Sequence, residues 1–590
     1  MSGFAGYISN VGNIDEMAKF ISQNGNAFKY ESEKCAFALS DINDNIRALK
    51  YESADGFLIA FQGKIYNSDA LKTEIQIDGN ISNDAELILL GYKKFGKDMV
   101  KMLDGMFSFA IYNVREDVLL IARDGCGIKP IYYHIGENCF VFATETRAIS
   151  AFSGFKKELN EEILSAFLCY GHVPTNETLF KGVFRLEPGH ILTYKNGIIE
   201  KECFFKLEFA NANKTESEFI DEIHASVVKS IEKHTSGVNY ATFLSSGVDS
   251  SYIASTAKPK VTFTAGYSDR KYDESLYTKE LADKLGIENR VKTVTPEEYL
   301  SEFAKIISCM DTPLSNPSMS SIYFGTQAVA ESGFDVIISG EGADELFGGY
   351  NSYKEEISHG GYMKIPYGIR HFIYLLTKPL PSKKFDFFAR RGQKIRDYHI
   401  GLDRIFKDDE AQKIIKNKNQ IHTKSVSAPY YDYYGNCSTM KQRQAIDFYF
   451  WLINDFVHCV VRSADNFGLE ARFPLLGSEV IDIARSVPDE YKLKDGMTKW
   501  IFRMAAKKVI PNDAHSRKKL GFPVPLKEWI KRDDFYAQIK SKFDSDNAKK
   551  FFDTSAIIKM LDDHKSGNAD NYKKVWTIYT FLVWYELNFG

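Results

Sequence analysis

An apolar run, Tyr240-Ala241-Thr242-Phe243-Leu244, leads into Ser245-Ser246-Gly247-Val248-Asp249-Ser250-Ser251. Small residues let a backbone approach a ligand closely. Serine hydroxyls, with the unpaired N–H groups of a helix start, make a cradle for an anion. Asp249 in such a loop would hold a magnesium ion that bridges phosphates. The loop lacks the Gly-Lys-Ser/Thr ending of a Walker A sequence. Read alone, it also fits a serine-rich strand-to-helix turn with ordinary N-caps.

Such a loop needs a sheet behind it. From about residue 211, strands alternate with helices: Tyr240–Leu244, then a helix from Asp249; Lys260–Ala265, then Glu274–Leu285; Phe334–Ile338, then a helix around Asp344–Phe347. Strand, crossover helix, strand implies a parallel sheet with ligands at the carboxyl ends of its strands. From about Tyr353 the chain reads as helical and rich in aromatics. The first ~200 residues instead read as short strands between turns such as Asp78-Gly79-Asn80, with helices near Ile14–Gln23 and Asp84–Phe95, an α+β pattern.

A length of 590 residues predicts two or more domains. The formal net charge of -3 predicts neither a nucleic-acid partner nor an anionic membrane. None of the eight cysteines forms a C-x-x-C, so no zinc or dithiol site is expected. No apolar run reaches membrane-spanning length and no signal segment opens the chain, which predicts a cytoplasmic enzyme.

The serine loop resembles the pyrophosphate-binding loop of the asparagine synthetase family, with Ser246 in place of a glycine. Ser339-Gly340-Glu341-Gly342-Ala343-Asp344-Glu345 resembles the family's second block. Thr264-Ala265-Gly266, Tyr272-Asp273-Glu274-Ser275, Asp311–Ser318, Leu469–Pro474, Asp495–Lys499 and Lys518–Pro525 continue the likeness over essentially the whole chain. The resemblance implies an AMP-forming carbon–nitrogen ligase that uses ATP and Mg2+. Leu244, Ser245, Ser246, Gly247, Val248, Asp249, Ser250, Ser251, Ala265, Ser339 and Gly340 would line the nucleotide. Asp249 and Asp344 would hold magnesium. Lys499, otherwise an ordinary surface lysine, would neutralise the α-phosphate, and Glu341 would be the base for the nitrogen nucleophile. A carboxylate attacks the α-phosphorus of ATP and becomes an acyl-adenylate, with L-aspartate the family default. Relatives that close a β-lactam ring carry tyrosine at position 341, so glutamate favours ammonia.

Val461–Asn466 departs from the family pattern, and Gly477 stands where an aspartate is usual. The resemblance places the first stretch near the acceptor side, which leaves the carboxylate open.

The N-terminal part resembles the family's glutaminase, an N-terminal-nucleophile hydrolase fold, through Gly3–Ile8, Gly63–Asn67, Ser82–Glu86 and Arg123–Pro130. The expected layout is a glutamine-amidotransferase-like α+β domain over 1–210. An α/β adenine-nucleotide α-hydrolase-like synthetase domain with a helical C-terminal part would follow over 211–590. Active members carry a cysteine nucleophile after the initiator Met; here Ser2 stands there. Gln62 replaces the oxyanion-hole asparagine, Lys64 reverses the charge of a glutamate that binds the substrate amine, and Ala36 replaces an arginine. Only Gly63 and Asp84 keep glutamine-site roles. A replaced cysteine or a serine nucleophile would explain Ser2 alone; decay of the glutaminase explains all four changes. Nitrogen would then come as ammonia, from a glutaminase partner, or as an amine. The family likeness allows a homodimer through this domain. Two rival readings are a ligase for an organic or peptide amine, as in β-lactam synthetases and lasso-peptide cyclases, and a non-catalytic nucleotide-binding scaffold. Intact Asp249, Glu341, Asp344 and Lys499 argue against the last.

Overall fold

The computed structural model describes residues 3–22, 27–40, 47–52, 56–76, 81–357, 360–378, 386–511 and 524–590. Ser2, the turn 78–80 and most of the 518–525 block lie outside them.

Two six-stranded sheets build the N-terminal part. In one, the order is Val183–Arg185, Tyr132–Gly136, Cys139–Ala143, Phe4–Ile8, Cys35–Ser40, Ala27–Glu31; in the other, Ile198–Cys203, His190–Lys195, Val118–Arg123, Gly105–Asn113, Phe57–Ile65, Arg47–Glu52. Every pairing is antiparallel among the described strands. Side chains alternate along each strand, so each sheet has two apolar faces to bury. Phe4, Phe37, Leu58, Ala60, Tyr112, Phe140 and Phe142 meet between the sheets. Ile59, Phe61, Phe109 and Ile111 face outward, where Leu71, Leu87 and Ile88 of the helices Ser68–Ile75 and Asp84–Phe95 cover them. Helix Ile14–Ile21 turns Ile14, Met17, Ala18 and Ile21 onto the far face of the other sheet. The layers run helix, sheet, sheet, helix.

The second part holds a five-stranded parallel sheet in the order Glu288–Thr293, Val261–Gly266, Tyr240–Phe243, Val336–Ile338, Glu470–Arg472. The chain builds outward from Tyr240–Phe243 to one side, then crosses to the other. Beyond the carboxyl end of that strand, the connections diverge and leave a crevice. Helix Glu216–Thr235, opened by a capping box at Thr215 and Glu218, and helix Val248–Ala257 flank the sheet. The rest is helical through Tyr572–Phe589. No helix among the described residues is long and apolar enough to cross a membrane. Leu207, in the segment joining the two parts, is gripped at both polar atoms: its N–H donates to the Tyr449 hydroxyl (3.0 Å) and its carbonyl accepts from Tyr434 (2.9 Å).

Candidate active site

The serine loop leaves the central strand at the crevice. Leu244 buries its side chain against Ala254, Leu281 and Ala282, and Val248 is buried too, so the two apolar residues anchor the loop from below. The hydroxyls act mainly within the loop, a difference from the expected hydroxyl cradle. Ser245 N donates to Ser250 Oγ (3.0 Å), the two hydroxyls pair at 2.8 Å, Gly247 N donates to Ser245 Oγ (3.2 Å) and Ser251 Oγ donates to Gly247 O (2.8 Å). These bonds fix a tight turn into the helix. Ser246, the serine standing for a glycine, donates from its backbone N–H and its hydroxyl to Glu274 at 3.1 and 2.9 Å. Glu274 is buried and thereby ties the loop to the segment preceding helix Ser275–Leu285.

The second block approaches from the neighbouring strand Val336–Ile338. Ser339 N donates to Arg472 O (2.9 Å). Gly340 packs closely on the loop: a Cβ there would lie 3.2 Å from Ser250 N at the start of the loop helix. Ala265 is the last residue but one of the strand Val261–Gly266 on the other side, and it is half-buried. Asp344 and Glu345 open the short helix Ala343–Phe347.

Lys499 joins the two blocks. Its ammonium lies 2.7 and 2.6 Å from the two Asp249 oxygens and 2.7 Å from Asp344 Oδ1. It holds a left-handed backbone (φ 53°), an uncommon conformation for a residue with a Cβ, stabilised by Lys499 N donating to Gly348 O and Arg503 N to Lys499 O. Gly349 leaves room for the trio: a Cβ there would fall 1.7 Å from Asp344 Oδ1 and 2.2 Å from Lys499 Cε. Burial pushes Glu345 up to about 8, with the Asp344 charge adding to it, while Tyr350 donates to it at 2.5 Å.

Glu341, half-buried, sits between the Ser339–Gly340 backbone and Gly342, whose φ of 107° and contact with Leu476 demand glycine. Within electrostatic reach of it is Asp455, a residue that sequence reasoning missed. Asp455 is buried in the π-helix Asp447–Val457 and accepts from Asn316 Nδ2 at 3.3 Å to each oxygen. Burial pushes its carboxyl up to about 8; the Asn316 amide opposes the shift, and the Asp403 and Glu341 charges add to it. The available signal was a lone acid inside the apolar run Phe448–Phe456, and π-helical turns recur at functional sites.

In the N-terminal part, Gln62, Gly63 and Lys64 lie on the strand Phe57–Ile65, with Asp84 at the start of a helix beside it. Gln62 Nε2 donates across the interface to Asp465 Oδ2 (3.4 Å). Gly63 (φ 135°) would bring a Cβ 2.0 Å from Met106 O. Lys64 Nζ lies 3.1 Å from Asp84 Oδ2, which also accepts from Ile65 N (3.0 Å), and Ser68 donates to Oδ1 (3.2 Å). Asp84 is thus engaged by its own chain. The structure brings Asp249, Ser339, Gly340, Glu341, Asp344 and Lys499 to one crevice; the 62–64 and 84 group forms a separate cluster on the other side of the domain interface.

The family model for asparagine synthase matches residues 222–586, and that for a glutamine amidotransferase domain matches 29–205. "Asparagine synthetase [glutamine-hydrolyzing] 1" of Bacillus subtilis is 32% identical over 93% of this chain and 88% of its own length. A "Putative asparagine synthetase [glutamine-hydrolyzing]" of Mycobacterium bovis is 29% identical over 91% of this chain and 85% of its own. "Asparagine synthetase [glutamine-hydrolyzing] 3" of Bacillus subtilis is 23% identical over 88% and 84%.

Proposed function

The chain belongs to the asparagine synthase family and is a ligase that forms carbon–nitrogen bonds, and from its site we propose an AMP-forming amide synthesis that draws on ammonia rather than on its own glutamine hydrolysis. The carrying observation is the convergence of Asp249, Asp344 and Lys499 at the mouth of the serine loop.

Asp249 and Asp344 are the residues that would hold magnesium. Their oxygens already share one cation, the Lys499 ammonium, and hard carboxylate donors suit this ion. Among the described residues no group of three or more such side chains gathers. That fits an ion that takes one or two carboxylates from the protein and the rest from phosphate and water. When bound, the ion neutralises polyphosphate charge. The first-turn amides of helix Val248–Ala257 and the Gly340 backbone receive the phosphates, and Lys499 faces the charge that builds at the α-phosphorus. The substrate carboxylate, L-aspartate by family default, attacks there, pyrophosphate leaves, and an acyl-adenylate forms. Ammonia then attacks the acyl carbon. Glu341 takes its proton, AMP departs, and Asp455, kept protonated by burial, stands beside that base as a neutral acid.

The Lys64–Asp84 pair supports external nitrogen. The Lys64 ammonium stands where the family has the glutamate that binds the substrate's amine, and it pairs with Asp84. We place the boundary at 210/211, between the two matched stretches.

Pyrophosphate release from ATP and Mg2+ with a panel of carboxylates, with and without ammonia and with organic amines, tests the proposal. Release with aspartate plus ammonia is expected. Release only with an organic amine would replace ammonia as the nucleophile, and no release under any condition would leave a nucleotide-binding scaffold.

A further inference from the structure

Behind Glu341 the two parts of the chain meet along a buried polar seam that the reaction above leaves unused. Arg462, on helix His458–Asn466, is 1% exposed. Its Nη2 lies 3.1 Å from Glu145 Oε2 of the N-terminal part, and its Nε lies 3.1 Å from Asp311 Oδ2. Asp465, one turn further on, is 3.7 Å from Nη1. The N-terminal part also grips Asp311 directly. Thr146 N donates to its Oδ1 (3.2 Å), the Thr146 hydroxyl to its carbonyl (3.0 Å) and the Tyr132 hydroxyl to its Oδ2 (3.3 Å).

Two polar rungs connect the same two stretches of the synthetase part. Arg462 and Asp455 lie seven residues apart on one continuous helical run, about 10 Å along its axis. Asp311 and Asn316 lie five residues apart on the segment between helices Pro296–Ser308 and Met319–Glu331. Arg462–Asp311 is the outer rung and Asp455–Asn316 the inner one, whose carboxyl lies within electrostatic reach of Glu341. Leaving a buried guanidinium without one of its partners is costly, and Arg462 has Cys309 O (3.3 Å) as a further acceptor within the synthetase part. Both members of the outer rung are also held by the N-terminal part, which thereby reaches the two stretches that carry the inner rung.

We propose that Glu145, with Thr146 and Tyr132, is a positioning residue for the synthetase reaction: through the Arg462–Asp311 rung, the N-terminal part sets where Asn316 and Asp455 stand beside Glu341. The inference rests on the amide-synthesis reading of the crevice. It gives the N-terminal part a task that needs no glutamine.

The test uses the full chain with Glu145→Gln, assayed by pyrophosphate release under saturating carboxylate and ammonia. The kcat falls roughly three- to thirtyfold, the range for coupling through packed networks. The KM for ATP stays within about twofold, because the serine loop is outside both rungs. Tyr132→Phe, which removes one hydroxyl and keeps the ring, shifts kcat the same way by less. A folded Glu145→Gln protein with unchanged kcat overturns the proposal. So does a parallel fall in kcat, rise in ATP KM and drop in thermal midpoint, the pattern of plain destabilisation. If Glu145→Gln does not fold, Tyr132→Phe decides, with unchanged kcat the overturning result. A wild-type protein that releases no pyrophosphate fails the reading of the crevice instead. The crystal structure of Glu145→Gln (or of Tyr132→Phe) then decides: a displaced Asn316–Asp455 pair supports the positioning role, and an undisturbed pair overturns it.

Discussion

The Lys499 ammonium contacts both oxygens of Asp249, 250 positions earlier in the chain, at 2.7 and 2.6 Å, and both residues are buried. Asp344 completes the trio from a third element. Removing one partner from a buried ion pair costs about 3–5 kcal/mol, because the other charges stay behind. Lys499→Met is therefore expected to lower stability by about that amount and to cut pyrophosphate release by about 100-fold or more. Added Mg2+ should raise the variant's melting temperature more than the wild type's, since the vacated carboxylate pair then binds a cation in the folded state only. Thermal melts with and without Mg2+ check this, and a variant indifferent to Mg2+ would show that the pair is no cation site.

Gly349 gives a steric version of the same test. A methyl group there collides with Asp344 Oδ1 and Lys499 Cε. Gly349→Ala should displace one of them, costing about 1–3 kcal/mol in stability as overpacking does, and should lower pyrophosphate release by about tenfold or more. Gly361→Ala, where a Cβ meets nothing within 4 Å, is the control and should leave the rate unchanged.

The crevice was legible mainly through the family resemblance, because the serine loop read alone also fits an ordinary capped turn and Lys499 a surface lysine. The strand-to-helix order around Ser245–Ser251 and Ser339–Asp344 predicted a parallel sheet, and the sheet is parallel. Helix Asp84–Phe95 has the bounds expected of it. Ala27–Glu31 was not legible: it is an exposed edge strand, with no buried alternation to betray it. Asp455 and Arg462 were opaque for the opposite reason. Their partners Asn316, Asp311 and Glu145 are more than 100 positions away, and periodicity reports only local burial. The hydroxyl directions in the serine loop were equally hidden, since Ser246 finds its acceptor in Glu274, 28 positions on.

The Lys64–Asp84 contact makes a claim about nitrogen. With Lys64 in the place of the amine-binding glutamate and paired with Asp84, the strand presents an ammonium where a glutamine amine would dock. Glutamine titrated against the protein, with glutamate as readout, should show no release above background, while ammonia supports amide formation. Ser2→Cys should not restore hydrolysis, because a thiol does not undo the Lys64, Gln62 and Ala36 changes. Robust glutamate release from either protein would overturn decay of this site.

Asp455 ties the crevice to pH. Burial holds its carboxyl near 8, well above the usual carboxylate range, so the folded protein keeps a proton there that the unfolded chain has released above about pH 4. Between those values the folded state binds more protons than the unfolded one, and stability falls as pH rises. Its contribution is complete below about pH 4 and gone once pH passes about 8. Glu345, also raised to about 8, acts in the same direction. The buried histidines His172, His234 and His458, with lowered pKa values, and Lys492 contribute the opposite slope, so the comparison with a variant isolates Asp455. Asp455→Asn keeps the shape and cannot ionise, so in urea unfolding at pH 6, 7 and 8 its stability should gain on the wild type's by up to about 1.4 kcal/mol per pH unit. Equal slopes for the two proteins would mean that Asp455 is already ionised when folded. A charged Asp455 beside Glu341 could not serve as the neutral partner of the base, and the two acids would then have to be assigned to binding a cationic group of the substrate instead.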